Sequence, residues 1–515
     1  MSRAAALALL LAAAPAAAGS VKLFAFDAKG KPLDGEALSK RLARADEKDP
    51  AAASLPLWAF PLDEKSPPQR LKLAQQGKLL VASWDKGERV RLELVWPVAE
   101  DGYNAVVADK GGEGFGDGEA VFLNEELAST QYRLFREAWK RRTTDYSPLY
   151  KPGDKSKALA EEAKDAMADA ARQKEAPERA KGFEAALTKI ALAWEKMLFE
   201  HGLQLALDER RAKDLRFGLT IDESLLKRMD DVEWVAEAAR RSGSNWVRLV
   251  FRPNGPDFLY KRLPSFNEYD AVVDELKKNG LKVMGCALDT AQWPKTLTPE
   301  LYAERVKNLA LHYKGRVDAW EVGSELNGDW LGGAAAPLSL DEVFKIYAAG
   351  ASKVKELLPD AEVVATLYAW EQTAPDREHS LSGWLKTYAP RGFGKDLDAV
   401  GLSVWPEDNP AGMGFERHFE TLADALPRQR HLLSSLGYVE GEEVAGYWWL
   451  DPKDVDGGRK DLLILYTTAS CAFRSSVCGG FWWQTLDQML PPGRQKATDL
   501  YKVYRRTLEQ LGRRE

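Results

Sequence analysis

The sequence predicts an α/β protein whose larger part is a (β/α)8, or TIM, barrel over residues 213–515, preceded by a small β-sandwich-like domain and a helical connector. Three observations carry this. From about residue 213, eight short apolar runs recur roughly 30 to 40 residues apart, each followed by an amphipathic stretch, as eight strand–helix units require. Between residues 21 and 123 the apolar residues alternate or run in short blocks between Gly and Pro turns, a strand pattern. Between about 124 and 212 the spacing becomes helical. A doubly wound open sheet competes with the barrel, but no Gly-rich phosphate loop follows the first of the eight strands.

Taken in order, residues 1–18 read as a secretory signal peptide: Arg3, the apolar run Ala4 to Ala14, then Ala16-Ala17-Ala18 as a small-residue cleavage site. The run is too short to span a bilayer, and no Cys follows it to take a lipid anchor. The expectation is an exported protein, periplasmic or extracellular, without membrane insertion. Residues 19–123 hold the strand-like runs Val21–Phe26, Leu79–Ser83, Val90–Val95 and Tyr103–Val107. Carbohydrate binding or a structural appendage are both open readings for that region. Residues 124–212 carry Phe135, Trp139, Leu187, Ile190, Trp194 and Met197 at helical spacing, with the polar, Ala/Lys/Glu-rich Lys155–Arg179 as a solvated helix or an excursion.

The eight barrel strands are read as Arg216–Thr220, Asn245–Phe251, Lys282–Leu288, Val317–Val322, Glu362–Leu367, Ala399–Val404, Val444–Trp449 and Gly479–Trp483. The helices between them carry recognisable ends. Thr298-Pro299 is an N-cap with Pro at the first helical position, and Ser339 to Glu342 is a capping box. Gly280, Gly315 and Gly437 stand where helices should stop.

Net charge is −6, with both signs interleaved and no basic stripe, which argues against nucleic acid and anionic membrane surfaces as partners. The 3 Cys, at 286, 471 and 478, are too few for a disulfide framework, although Cys471 and Cys478 are near enough to pair. No Cys/His metal spacing is present and no cofactor is implied. The 17 Trp residues exceed ordinary core needs, and aromatic faces stack on the apolar faces of sugar rings.

Function in such a barrel sits on the loops after the strands. The strand ends supply Arg248 and Arg252; Asp289, Gln292 and Trp293; Glu325, Asn327 and Trp330; Tyr368, Trp370 and Glu371; Ser403, Trp405 and Glu407; Tyr447, Trp448, Trp449 and Asp451; and Trp482, Trp483, Gln484 and Asp487. Polar and aromatic groups thus converge on one face, as a sugar-binding cleft needs, and a carboxyl such as Glu325 can supply the proton that a departing glycosidic oxygen requires.

On these motifs the barrel region resembles the superfamily of (β/α)8-barrel glycoside hydrolases with catalytic glutamates after strands four and seven (clan A type). Trp320-Glu-Val-Gly-Ser-Glu325 is similar to its strand-four motif, in which an Asn-Glu pair supplies the acid/base. Trp246-Val-Arg248 is similar to its strand-two arginine. Gly480-Phe-Trp-Trp483 followed by Asp487 is similar to its strand-eight motif. The resemblance implies carbohydrate as partner, Glu325 as general acid, and the aromatic and polar strand-end residues as its binding surface. Two positions depart from it. Ser324 replaces the Asn, and the run taken as strand seven has no acid, so Tyr447 or Trp448 should fill the nucleophile's place. Asp451 is then the nearest second carboxylate, and Tyr447 an alternative nucleophile. The leading expectation is an exported glycoside hydrolase of a poly- or oligosaccharide. The alternative is a glycan-binding protein that keeps the barrel without the nucleophile.

Overall fold

The computed structural model describes residues 19–43, 57–62, 68–77, 79–85, 87–98, 102–208, 215–251, 266–333, 336–406, 411–438, 463–465, 467–473, 477–493 and 496–512. The expected signal peptide, residues 1–18, lies outside them.

The N-terminal region forms two four-stranded sheets. One runs in the order β4-β5-β1-β8, built from β1 (Gly19–Phe24), β4 (Lys72–Gln76), β5 (Leu79–Trp84) and β8 (Glu119–Phe122). The other runs β3-β2-β6-β7, from β2 (Trp58–Pro61), β3 (Gln69–Arg70), β6 (Val90–Val98) and β7 (Gly102–Ala108). Alternation turns Val21, Leu23, Leu92, Leu94 and Trp96 inward, all buried. A short helix, α1 (Gly35–Ala43), precedes β2.

Three helices follow: α2 (Leu123–Thr144), α3 (Asp154–Arg172) and α4 (Ala176–Ala206). The polar stretch after residue 154 is a solvated helix that buries only Ser156, Ala163 and Ala170. α4 is the central strut. On one side, Glu184 accepts from Trp96 Nε1 (3.2 Å) and Asn124 Nδ2 (2.6 Å). On the other, Trp194 Nε1 donates to Glu416 of the barrel layer (3.0 Å), and Arg142 from α2 donates to the same carboxylate (2.6 Å). Gly202 allows the closest approach, since a Cβ there would lie 1.9 Å from the Thr468 carbonyl oxygen. Buried side chains of the β-region, the helices and the outer barrel belong to one cluster that runs from Val21 to Leu511. Asn104 accepting from Met413 N (3.0 Å) and Gln372 donating to Glu93 (2.7 Å) tie the β-region directly to the barrel.

Eight parallel strands close the barrel: β9 (Arg216–Ile221), β10 (Trp246–Val250), β11 (Lys282–Cys286), β12 (Ala319–Glu321), β13 (Glu362–Tyr368), β14 (Ala399–Val404), β15 (Arg430–Leu436) and β16 (Gly479–Trp482). α5 (Val232–Arg241), α6 (Asp270–Lys278), α7 (Pro299–His312), α8 (Leu340–Leu357), α9 (Leu381–Tyr388) and α10 (Phe415–Ala425) lie outside, with a C-terminal helix Asp499–Gly512. The Thr298 cap and the Ser339–Glu342 capping box both form. Gly280 and Gly315 take positive φ where α6 and α7 end. The base of the barrel is filled by Trp246, Met284, Ala319, Val364, Ala399, Leu432, Val477 and Phe481. A disulfide joins Cys471 and Cys478, and Cys286 is a buried free thiol.

One strand differs from the expectation. Strand seven is Arg430–Leu436, not Val444–Trp449, and Gly437 follows a strand rather than ending a helix. The run Arg430-His-Leu-Leu-Ser-Ser-Leu436 is too polar to stand out in sequence, and the aromatic run further on outscored it. The structure accommodates the polarity. His431 is buried as a neutral imidazole, its pKa pushed down to about 4 by burial, and Ser434 finds partners inside the barrel. A register shift between β14 and β15 pairs Leu402 with Leu433 but Ser403 with Ser435, so two serines share the space of one residue at the strand's end.

Candidate active site

The site is built around the turn after β12. Thr366 N donates to Gly323 O (2.7 Å), Leu326 N to Thr366 O (3.1 Å), and Gly328 N to Glu325 O (2.9 Å). These bonds hold Glu325 at φ 55, the left-handed region that a glutamate rarely occupies. Gly323 must lack a side chain, because a Cβ would meet Leu326 Cδ2 at 2.5 Å.

So placed, the half-buried Glu325 reaches across to β14 at the C-terminal mouth of the barrel. Its Oε1 accepts from Ser403 Oγ (2.5 Å), and Ser403 Oγ accepts from Trp405 Nε1 (3.0 Å). Burial pushes the Glu325 carboxyl up to about 7; the negative charge of Asp289 adds to this, while the Ser403 bond, the Arg248 charge and Trp405 only partly oppose it. Glu325 therefore keeps its proton close to neutral pH.

Arg248 lies beneath, fully buried. Its Nε donates to Glu321 Oε2 (2.7 Å) and its Nη2 to Ser324 Oγ (3.2 Å), and its guanidinium lies 4.7 Å from the Trp483 ring centre. Glu321 also accepts from Thr366 Oγ1 (2.5 Å), which lies 2.8 Å from Ser434 Oγ. A polar chain thus crosses the barrel from strand two to strand seven. Above it, the half-buried Trp405 and Trp483 meet edge to face at 6.3 Å. Gly437 makes room for Trp405: a Cβ there would come within 2.9 Å of the indole.

The predicted residues separate into three groups. Glu325, Ser403, Trp405, Trp483, Arg248 and Asp289 converge at the mouth, with Arg248 buried as a support rather than exposed as a contact. Asp289 also accepts from Ala291 N (3.1 Å), capping a short turn. Trp330, Tyr368 and Trp370 form an aromatic trio with ring centres 4.8–5.4 Å apart at the loops after β12 and β13; Tyr368 is buried, and the two indoles are half-buried.

A third group is displaced from its expected role. Asn327 is a backbone clamp, taking Tyr368 N (2.7 Å) and donating to Tyr368 O (3.0 Å) and His379 O (2.7 Å), so its amide is fully used. Trp293 and Trp482 are buried in the core; Trp293 packs on Tyr302 at 5.0 Å. Asp487 is exposed on the turn Thr485–Met489. Glu371 turns outward and pairs with Arg377 (2.8 Å), and Arg377 and Ser382 outweigh its burial to hold its carboxyl below the usual value. It lines a cavity of about 470 Å³ between the second N-terminal sheet and α9 and α10, with Phe60, Arg91, Glu93 and His418.

Tyr447, Trp448 and Asp451 lie outside the described residues, as do Arg252, Glu407 and Trp449. Tyr447 or Trp448 was expected in the nucleophile's place with strand seven at residues 444–449; the observed strand seven is Arg430–Leu436. The observed strand seven ends Ser434-Ser435-Leu436, without an acid. Ser435, level with Ser403, is buried, and its hydroxyl has no hydrogen-bond partner among the described residues. Sequence reading passed over Glu321, Thr366 and Ser434 as the groups around Arg248. Their signal was period two, which puts Glu321 on the inward face with Ala319, and Thr366 with Val364.

Among the described residues, no three His, Cys, Asp or Glu side chains are grouped to hold a metal ion, and no helix is long and apolar enough to cross a membrane.

No protein-family model matches the chain, and no curated protein matches its sequence. Solved structures do match. A GH10 endoxylanase from a sugarcane soil metagenome is 17% identical with a TM-score of 0.41, covering 58% of this chain and 98% of its own. Xylanase 10B from Thermotoga petrophila, solved with xylobiose, is 16% identical with a TM-score of 0.42, covering 61% and 97%. The family 1 β-glucosidase from Thermotoga maritima is 13% identical with a TM-score of 0.39, covering 59% and 99%. The barrel itself is established by its closed ring of eight parallel strands.

Proposed function

We propose that the barrel mouth cleaves O-glycosidic bonds of a poly- or oligosaccharide, with Glu325 as general acid. The observation that supports this most is the Glu325 carboxyl, half-buried at the mouth beside Trp405 and Trp483, with its pKa pushed up to about 7. A departing alkoxide needs a proton in the transition state, and an acid that stays protonated near neutrality can deliver it. Trp405 and Trp483 offer ring faces to a sugar next to that proton. Asp289, whose charge bears on Glu325, is the described carboxylate best placed to stabilise developing positive charge on the sugar ring. Asp451, or Tyr447, remains in this proposal as a contributor from the segment that follows strand seven. Export belongs to the proposal as well; the Cys471–Cys478 disulfide suits an oxidising compartment.

A second reading, glycan binding without cleavage, is favoured by one observation: strand seven, Arg430–Leu436, carries no acid, whereas the resembled family has its nucleophilic glutamate at the end of that strand. A panel of soluble glycans, scored for binding and for released reducing ends, separates the two. Release by the parent protein that is lost in Glu325→Gln supports hydrolysis. Binding without release on every glycan leaves the second reading.

A further inference from the structure

Ser403 Oγ occupies a position in which its proton has one destination. Trp405 Nε1 is a donor only, so the serine oxygen must accept from it (3.0 Å). Among the described residues, the acceptor that takes the Ser403 hydroxyl is Glu325 Oε1 (2.5 Å). Ser403 is fully buried, so water does not compete for the bond.

We propose that Ser403, oriented by Trp405, is a positioning residue that occupies Glu325 Oε1 as an acceptor and thereby confines the acid's proton to Oε2. The inference rests on the reading of Glu325 as a proton donor and adds which atom donates. In the protonated state the relay runs from the Trp405 N–H to Ser403 Oγ and from the Ser403 O–H to Glu325 Oε1. On transfer, the Oε2–H bond breaks, the proton passes to the glycosidic oxygen, and the carboxylate left behind retains the Ser403 bond. The same bond therefore favours the ionised acid after transfer. The charged groups bearing on Glu325 are Asp289, which disfavours ionisation, and Arg248, which favours it; both remain in place when Ser403 is changed.

The test is a carbon-13 titration of glutamate side-chain carboxyls in the full-length protein, with the Glu325 signal identified by its absence in Glu325→Gln. In Ser403→Ala the midpoint should rise by roughly one pH unit, since a bond to the charged form is lost. In Trp405→Phe, which removes the N–H that bonds Ser403 and also favours the ionised Glu325, it should rise by less. Ser403→Thr, which restores a hydroxyl, should return it toward the parent value. If the parent hydrolyses a glycan, the alkaline limb of its pH–kcat profile should move with the midpoint in Ser403→Ala, and kcat should fall roughly tenfold with KM little changed. An unchanged midpoint in both Ser403→Ala and Trp405→Phe overturns the proposal, whatever the activity. A shifted midpoint in a protein that cleaves nothing upholds the proton placement and removes the hydrolase reading instead.

Discussion

At the N-terminal rim of the barrel, Glu362 meets Arg216 (2.8 Å) and Arg430 (2.9 Å), Lys277 meets Asp318 (2.8 Å), and Lys355 meets Asp398 (2.7 Å). At the opposite rim, Glu325 has a serine hydroxyl for a partner, Arg248 beneath it is committed to Glu321, and Asp289 adds a like charge. Both rims are rich in charge. At the first, cations balance these carboxylates and fix the strand ends. At the second, a carboxyl has no cation of its own among the described residues, and burial keeps it protonated. On the proposed function, the difference separates charge that holds a fold from charge held ready for chemistry.

The largest effect expected from this contrast is on turnover. Glu325→Gln keeps the acceptor oxygen for Ser403 but cannot release a proton, so hydrolysis should fall by about 10²–10⁴-fold while glycan binding persists. Progress curves and binding isotherms on one glycan check both halves.

At the paired rim the effect falls on stability. Glu362→Gln leaves Arg216 and Arg430 without their carboxylate and should destabilise the protein by about 2–4 kcal/mol in chemical denaturation. Activity per folded molecule should be unchanged. A variant as stable as the parent would mean the rim charges do not hold the strand ends.

The smallest effect is a pH-dependent gain. Because the folded-state pKa of Glu325, about 7, lies above its ordinary value, the folded protein binds more protons than the unfolded chain between about pH 4.5 and 7. Stability therefore falls as pH rises through that window, and the penalty is fully present above it. Glu325→Gln should be more stable than the parent by about 1–3 kcal/mol at pH 8 and no more stable at pH 4.5. Melting curves at the two pH values decide this.

The same contrast explains what could be read in the sequence. Strands β9–β14 and β16 were visible because parallel barrel strands are buried on both faces and read as apolar runs between helix caps. β15 was hidden because the groups that satisfy Ser434 (Thr366 and Leu402 O) and His431 (Leu426 O) lie outside the strand. Glu325 and Arg248 were legible as strand-end residues in a recognisable motif. Their environment was not, since Glu321, Ser403 and Trp405 reach them from different strands. Glu371 misled because an acid after a strand is equally compatible with a cleft and with a loop that folds outward onto its own Arg377. Asn327 misled because a local amide clamp and a sugar contact require the same residue type.

The account's central claim is that Glu325 protonates the departing oxygen, and leaving-group dependence tests it most directly. On the glycone identified by the panel, two aryl glycosides are compared in the parent and in Glu325→Gln: a dinitrophenyl glycoside, whose leaving group needs no proton, and an unactivated phenyl glycoside, whose leaving group does. The account predicts that the substitution slows the phenyl glycoside by about 10²–10⁴-fold and the dinitrophenyl glycoside by less than about tenfold. Equal loss on both substrates would contradict it, because a group lost equally for both is not supplying the proton.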